Sequence, residues 1–515
     1  MMKQFIYTLF IAVVALLLLQ ACYKDEGNYL YNDINEIAIS GIDDLYETMD
    51  GRLTITPVLT SSLAQNENDY TYEWVVFKKG GGAPIALTFA TTRDLNNQAL
   101  GVPVHDRPYE VRYRITDKNT GVKFEKIFKV KVTTMISSGF LVMNDIDGEM
   151  RLDMFSYYAV DGVSRYHYMR DVLSSVGCDL PPQQGPIKIA SFRRTAFLGS
   201  NAAQNWMILF LITKTGTHRL HYTTLQLDET TGIKGLFQRP IYYPSDIDID
   251  NILYGNSTLM HTTNGNLYHY YTQWMATLFG LPVNTLTGGA PYFRASPLAA
   301  GIDGMSGMWL VFDEDAKSFY RLGSDTDVTP TRCVKLPTGA LTSYENMGKD
   351  LEFVDYINFN GVGNRYLAVL KGAANDYWCL RLTAPNMGMG GFVQDKWQQI
   401  NATDIAQAKF FTVTPSAGNG SNIYYVVGSK IYAYNIENMQ TYLVFDKPGE
   451  TITFFGRVSN DFFVATYDES TKVGTLGRYT VPVLPNQLQL LVTPAPAEQP
   501  VSYSAPGKIV SVVNK

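Results

Sequence analysis

Phe140-Leu141-Val142-Met143-Asn144-Asp145-Ile146-Asp147-Gly148-Glu149-Met150-Arg151-Leu152 holds the pattern that decides the fold. A short apolar run leads into Asp-Gly, and a second run opens on a basic residue followed by Leu. Asp-Gly and Asn-Gly tolerate the positive φ angles of the two-residue turn that joins right-twisted strands, so the stretch reads as a β-hairpin. The pattern recurs. Its first arms are Phe140–Met143, Trp206–Ile212, Thr258–His261, Met308–Phe312, Tyr366–Leu370, Ile423–Val427 and Phe462–Tyr467. The second arms carry Arg151-Leu152, Arg219-Leu220, Asn266-Leu267, Arg321-Leu322, Arg381-Leu382, Lys430-Ile431 and Arg478-Tyr479. Six intervals separate Phe140 from Phe462, a period of about 54 residues. Repeats near this length, each too small to bury its own faces, point to four-stranded blades stacked in a ring. A seven-bladed β-propeller is therefore expected over residues 136–515. The interval from Phe140 to Trp206 is long enough to hold an extra blade or an insertion, and residues 170–186 read as a loop. Val481 to Ala505 is Pro-rich and reads as a surface segment, and Gly507 to Val513 returns to strand pattern as a candidate closing strand.

Upstream of the repeats the rhythm differs. Leu53–Leu59, Tyr70–Phe77 and Tyr109–Thr116 alternate in polarity, and Asp117-Lys118-Asn119-Thr120-Gly121 makes a turn before Val122–Val132. Strands at this spacing over residues 34–135 predict an immunoglobulin-like β-sandwich with Trp74 as a core anchor. The fold class expected for the whole chain is all-β.

At the amino terminus Lys3 precedes an apolar run from Phe5 to Leu19. Fifteen helical residues reach roughly 22 Å, short of a bilayer core of about 30 Å, so residues 1–21 read as a secretory signal rather than a membrane span. The run ends in Leu19-Gln20-Ala21-Cys22, which resembles the bacterial lipobox apart from Gln20. The resemblance implies lipidation of Cys22, with residues 22–33 as a tether. Lys24, Asp25 and Glu26 resemble the surface-export signal of Bacteroidota lipoproteins, which implies an outer-membrane protein facing the exterior.

The remaining sequence restricts function mostly by exclusion. The chain of 515 residues has a formal charge of −6 and no basic block, so nucleic acid is not an expected partner. Besides Cys22 only Cys178, Cys333 and Cys379 remain, enough for at most one disulfide. Nucleophile-elbow, zinc-helix and phosphate-loop motifs are absent, and no cofactor is expected. His218 and His221 are separated by an odd number on an expected strand and so point to opposite faces, which argues against a shared metal. Asn144–Glu149 has part of a calcium-loop pattern, but a hairpin turn explains it. Asp246, Asp248 and Asp250 alternate along an apparently extended segment. Such a row serves either as a cation or glycosidase-like site or as a solvated strand edge. Tyr242 and Tyr243 precede it, and Tyr268, Tyr270, Tyr271 and Trp274 follow. With Asp246 and Asp248 they form the candidate ligand surface, against the alternative of packing between blades.

The start Gly27-Asn28-Tyr29, Tyr31 and Ile34-Asn35-Glu36-Ile37, with Tyr72 and Trp74, resembles the PKD-like lipoproteins of Bacteroidota. The resemblance implies a non-catalytic surface subunit beside a TonB-dependent transporter and a SusD-like lipoprotein, capturing glycan or peptide. A surface propeller glycosidase or lyase, or a purely structural subunit of the transporter complex, are the alternatives.

Overall fold

In the computed structural model the described residues are 35–49, 51–63, 66–78, 84–104, 107–160, 163–195, 205–228, 232–237, 239, 242–254, 257–271, 279–286, 291–301, 309–322, 331–359, 363–383, 392–415, 421–458, 461–482, 488 and 502–515. Cys22, Lys24, Asp25, Glu26 and Trp274, like the segments 1–21 and 22–33 read as signal and tether, lie outside them.

Among the described residues, 37–133 hold nine strands: β1 (Ile37–Ser40), β2 (Leu45–Met49), β3 (Arg52–Ile55), β4 (Val58–Ser61), β5 (Tyr70–Lys78), β6 (Ile85–Ala90), β7 (Leu95–Ala99), β8 (Tyr109–Asp117) and β9 (Lys123–Thr133). They pair as a five-stranded sheet, β2-β9-β8-β5-β6, and two smaller pairs, β1-β4 and β3-β7. The alternation read along Tyr109–Asp117 is a strict buried/half-buried alternation in β8, so one face of the sheet is core. Trp74 anchors that core with no exposed surface, 4.2 Å from the Tyr113 ring and edge-on to Phe128. The stretch Leu53–Leu59 is not one strand. It divides into β3 and β4, which belong to different sheets, because Pro57 has no N–H to give a ladder.

The second half contains seven consecutive sheets among the described residues. The first holds β10 (Gly139–Ile146), β11 (Glu149–Val160) and β12 (Val163–Met169). The second is β13 (Pro186–Thr195), β14 (Asn205–Thr213) and β15 (Gly216–His221), and the third β16 (Ile249–Tyr254), β17 (Ser257–Thr262) and β18 (Leu267–Tyr271). A fourth has β19 (Ala300–Gly301), β20 (Trp309–Asp313), β21 (Ser318–Leu322) and β22 (Cys333–Lys335). The fifth comprises β23 (Lys349–Phe359), β24 (Gly363–Gly372), β25 (Tyr377–Thr383) and β26 (Val393–Ile400). The sixth has β27 (Lys409–Pro415), β28 (Ser421–Val427), β29 (Lys430–Asn435) and β30 (Gln440–Asp446). In the seventh are β31 (Thr451–Val458), β32 (Asp461–Asp468), β33 (Val473–Thr480) and β34 (Ser502–Pro506). The last strand, β35 (Lys508–Asn514), returns to the first sheet and pairs with β10.

Each repeated hairpin of the sequence is the second and third strand of one sheet. Its first arm is apolar without alternation because both faces are covered. In β10, Leu141 and Met143 join Leu209 and Leu211 of β14, while Phe140 and Val142 join Phe463 and Ala465 of β32. The same exchange links β14 to β17, β17 to β20, β20 to β24, β24 to β28 and β28 to β32. Seven apolar clusters thus join seven sheets, and the last returns to the first. This closed succession is the β-propeller.

Two further readings change. The Pro-rich segment is not wholly a surface run: Ser502–Pro506 pairs with β33 as an outer strand, and Leu488 is buried. Residues 170–186 include a single helical turn, α1 (Val172–Ser175), capped by Asp171, whose carboxylate accepts from Ser174. The long first interval is filled by β12, this connection and β13. Six of the seven inner strands (β13, β16, β23, β27, β31 and β35) also carry a register shift near their starts. Bulges there kink and twist the strand.

Candidate functional site

The first hairpin and the connection after β12 build the site. Asp147 and Gly148 turn with φ of 52° and 94°, which lets β10 and β11 pair without a loop. The Asp145 carboxylate accepts from Gly148 N–H, so the acidic stretch Asn144–Glu149 is used up by the turn and by β10. Beside it opens a cavity of about 370 Å³. Ile146, Met150 and Leu152 supply one wall, and Leu173, Cys178, Leu180, Pro181 and Pro182 the other. Arg151, Asp171, Ser174, Glu149 and Gln183 add polar groups. This volume lies at the small end of the range for small-molecule sites.

The polar groups around the cavity are largely committed. Arg151 is bidentate to Asp153, with Nε–Oδ1 2.9 Å and Nη2–Oδ2 2.7 Å. Asp153 has no exposed surface and also accepts from Asn144 Nδ2, the Tyr168 hydroxyl and Asp171 N–H. The Tyr503 hydroxyl of β34 lies 3.0 Å from Asn144 Oδ1 and 3.2 Å from Asp153 Oδ2, so this network ties the seventh sheet to the first. Burial and the adjacent carboxylate push both Tyr168 and Tyr503 well above the usual phenol range.

Gln183 also lines the cavity and is 3% exposed. Its side-chain oxygen accepts from His218 Nε2 at 2.8 Å and Thr215 Oγ1 at 3.0 Å. Burial lowers the His218 pKa, and the Asp246 carboxylate opposes that shift. A chain of contacts therefore runs from the cavity through Gln183 and His218 toward Asp246. His221, on the other face of β15, meets Thr224 instead. Among the described residues no cluster of three or more His, Cys, Asp or Glu is arranged to hold a metal.

The acidic row does not form. Asp246–Asp248 is a 3-10 turn, in which residues two apart point in widely different directions, and only Asp250 lies in β16. Asp250 meets His261 Nδ1 at 2.5 Å, while His261 Nε2 donates to Ala295 O at 3.0 Å. Asp246 lies toward His218 and Asp248 toward Tyr268. The aromatic surface also needs correction. Tyr270 is fully buried and packs 5.3 Å from Phe279, and Tyr268 is 6% exposed and edge-on to Phe237. Both face the second sheet, because β18 is covered on that side. Tyr242 and Tyr243 are half-buried against the same cluster, with Lys234 Nζ 5.3 Å from the Tyr243 ring. Tyr271 is paired with Ser257 through the backbone at the end of β18.

Near this segment Lys188 of β13 donates to Asn251 Oδ1 at 2.7 Å, and Asn251 Nδ2 donates to Pro297 O at 2.8 Å. These bonds link the inner strands of the second and third sheets to the segment that leads into the fourth. Burial pulls the Lys188 pKa down to about 8, only partly offset by Asp250. The sequence reading missed this bridge and the cavity wall. Their signal was weak: a lone lysine in a strand, and a loop of prolines and glutamines.

Cys178, Cys333 and Cys379 are free thiols in three different apolar clusters.

Among solved structures, a quinonprotein alcohol dehydrogenase-like protein from Bacteroides thetaiotaomicron is 13% identical, covering 91% of this chain and 96% of its own, with a TM-score of 0.35. The extracellular domain of a putative hybrid two component system from B. thetaiotaomicron is 10% identical over 87% of this chain and 65% of its own, at 0.35. YCF48 from Cyanidioschyzon merolae is 11% identical over 64% of this chain and 96% of its own, at 0.32. These are distant likenesses, and the ring rests on its own sheets and clusters. No curated protein matches the chain. Residues 22–180, which include the sandwich, the first hairpin and most of the cavity lining, match the PKD-like family.

Proposed function

We propose that this protein is a lipid-anchored subunit on the outer face of the outer membrane that binds glycan or peptide beside a TonB-dependent, SusC/SusD-like transporter, and has no turnover of its own. The observation that carries the binding reading is the cavity beside the first hairpin. Its lining mixes apolar side chains with polar ones, which suits a small polar ligand, while Arg151 and Asp171 are already held by Asp153 and Ser174. Neither is poised as a free acid, base or nucleophile, whereas catalysis requires such groups at reacting distance. The dispersal of Asp246, Asp248 and Asp250 supports this reading, because that row does not present the facing carboxylates of a glycosidase. The anchor rests on Leu19-Gln20-Ala21-Cys22, and the partner on resemblance to PKD-like lipoproteins. Tethering to the same membrane raises the effective concentration of subunit and transporter, so a modest interface suffices.

Purification of the native protein in mild detergent, with mass spectrometry of co-purifying proteins, tests the partner. Recovery of a TonB-dependent transporter is expected, and repeated recovery of the protein alone would remove that part. Hydrolysis of polysaccharide or peptide by the purified protein, lost in Asp246→Asn or Asp248→Asn, would overturn the non-catalytic reading.

A further inference from the structure

The clusters between sheets bury many of their large aromatic side chains: Trp309 is 2% exposed, and Tyr366 and Tyr424 are fully covered. Among those left partly exposed, Trp378 and Trp397 in the fifth sheet form a stacked tryptophan pair. Trp378 lies opposite Gln399, and Trp397 opposite Leu380, so both rings project from the same face of β25 and β26. They stack with centroids 4.9 Å apart and planes within 21°, at the edge of the cluster shared with the fourth sheet, and both remain partly exposed.

The inner ring is held on several sides. The Trp378 indole N–H donates to the Asp376 carboxylate, and Lys349 Nζ lies 4.8 Å from the ring centroid. Lys349 and Asp376 are 3.7 Å apart, so their charges largely cancel. The Trp378 bond is the largest cause holding Asp376 below the usual carboxylate range. The outer ring, Trp397, is thus stacked on a partner already fixed in place. A preorganised aromatic surface spends little conformational entropy when it binds.

We propose that Trp397 and Trp378 form a platform for a neutral glycan, with Gln399, Asp376 and Lys349 at its rim. The proposal rests on the binding reading above and adds a place and a ligand class. A pyranose presents a flat face of C–H groups surrounded by hydroxyls. The indole surface matches the face, and the exposed amide of Gln399, the carboxylate and the ammonium match the hydroxyls. The paired Lys349 and Asp376 leave no net charge to favour a uronic acid. Two rings bordered by polar groups are also far smaller than the apolar core of a stable protein interface. The platform lies on the fifth sheet and the cavity on the first, so the two can be tested separately.

The test uses the full-length, detergent-purified protein in native gels that contain soluble glucan, mannan, galactan, xylan, fructan or chitooligosaccharide. At least one of these neutral glycans is expected to retard the wild type. Trp397→Ala should weaken that retardation by roughly tenfold or more, in the range for losing one stacked ring. Its melting temperature should stay near that of wild type. Because Trp397→Ala could disturb packing, Trp397→Phe serves as the second variant. It should retain part of the binding, and the bound glycan should shield wild-type indole fluorescence from acrylamide more than it shields Trp397→Phe. Retardation of Trp397→Ala equal to wild type, or no shielding, overturns the platform while leaving glycan binding elsewhere intact. Failure of all six glycans to retard the wild type overturns the platform outright. The transporter pull-down is unaffected by either result and judges the partner reading alone.

Discussion

Asp153 shows how much of this ring depends on single polar residues. It is fully buried, yet Arg151, Asn144, Tyr168 and the Asp171 amide all point at it. A buried ion pair contributes little net stability when intact, but removing one partner strands the other. Asp153→Ala is expected to cost about 3–5 kcal/mol, read as a large drop in melting temperature. Lys188 gives a prediction with a defined sign. Its folded pKa is lowered to about 8 from the ordinary 10.5, so between these values the unfolded chain holds the extra proton. Wild type should therefore gain stability relative to Lys188→Met as pH rises from about 8 to about 10.5, on the order of 1–3 kcal/mol. Parallel melts of both proteins across that window measure it, and a flat difference would mean that the amine is well solvated. Neither residue stood out in the sequence. Asp153 follows the recognised Arg151-Leu152 pair, but its partners come from β10, β12 and the distant β34, which one-dimensional spacing does not reveal.

Elements were easier to read than sites. All seven repeated hairpins are present because their signal is local: Asp-Gly or a similar turn, and apolar arms covered on both faces. The same coverage explains why the aromatic candidates went astray. Alternate residues of β18 belong to facing clusters, so Tyr268 and Tyr270 pack inward whatever their chemistry. The acidic row failed for another local reason, since Asp246–Asp248 takes the tighter 3-10 geometry before the strand begins. The closing strand leads to a sharper expectation. β35 supplies Ile509 and Val512 to one cluster and packs Val510 and Val513 against another. Deleting residues 508–515 uncovers two interfaces at once and should abolish the cooperative melt of the ring. A separate chain of residues 35–135 should still unfold cooperatively, because its core around Trp74 draws only on β1–β9 and the segments between them.

For the whole molecule, the proposed function puts anchorage and recognition in different parts of the chain. Cys22→Ser is expected to release the protein from the membrane fraction without changing its melting temperature, as fractionation and calorimetry would record; persistence in the membrane pellet would assign attachment to something other than lipid. The sandwich and ring have separate apolar cores, neither of which draws on Cys22, so this substitution leaves both intact.

The return of β35 to β10 also sets an order of events. Tyr503 and Asn144 are 359 residues apart in sequence yet share a buried hydrogen bond. A contact of that range must await nearly the whole chain, and the entropy of closing such a loop is lost before the closing strand repays it. The sandwich needs only the first quarter of the chain and can fold early, as N-terminal domains do during synthesis. The first sheet, although translated next, stays without its inner strand until residues 508–514 arrive. Refolding should therefore show a fast phase reported by Trp74 and a slower one belonging to the ring, with transiently bare sheet faces in between as the stage most open to aggregation.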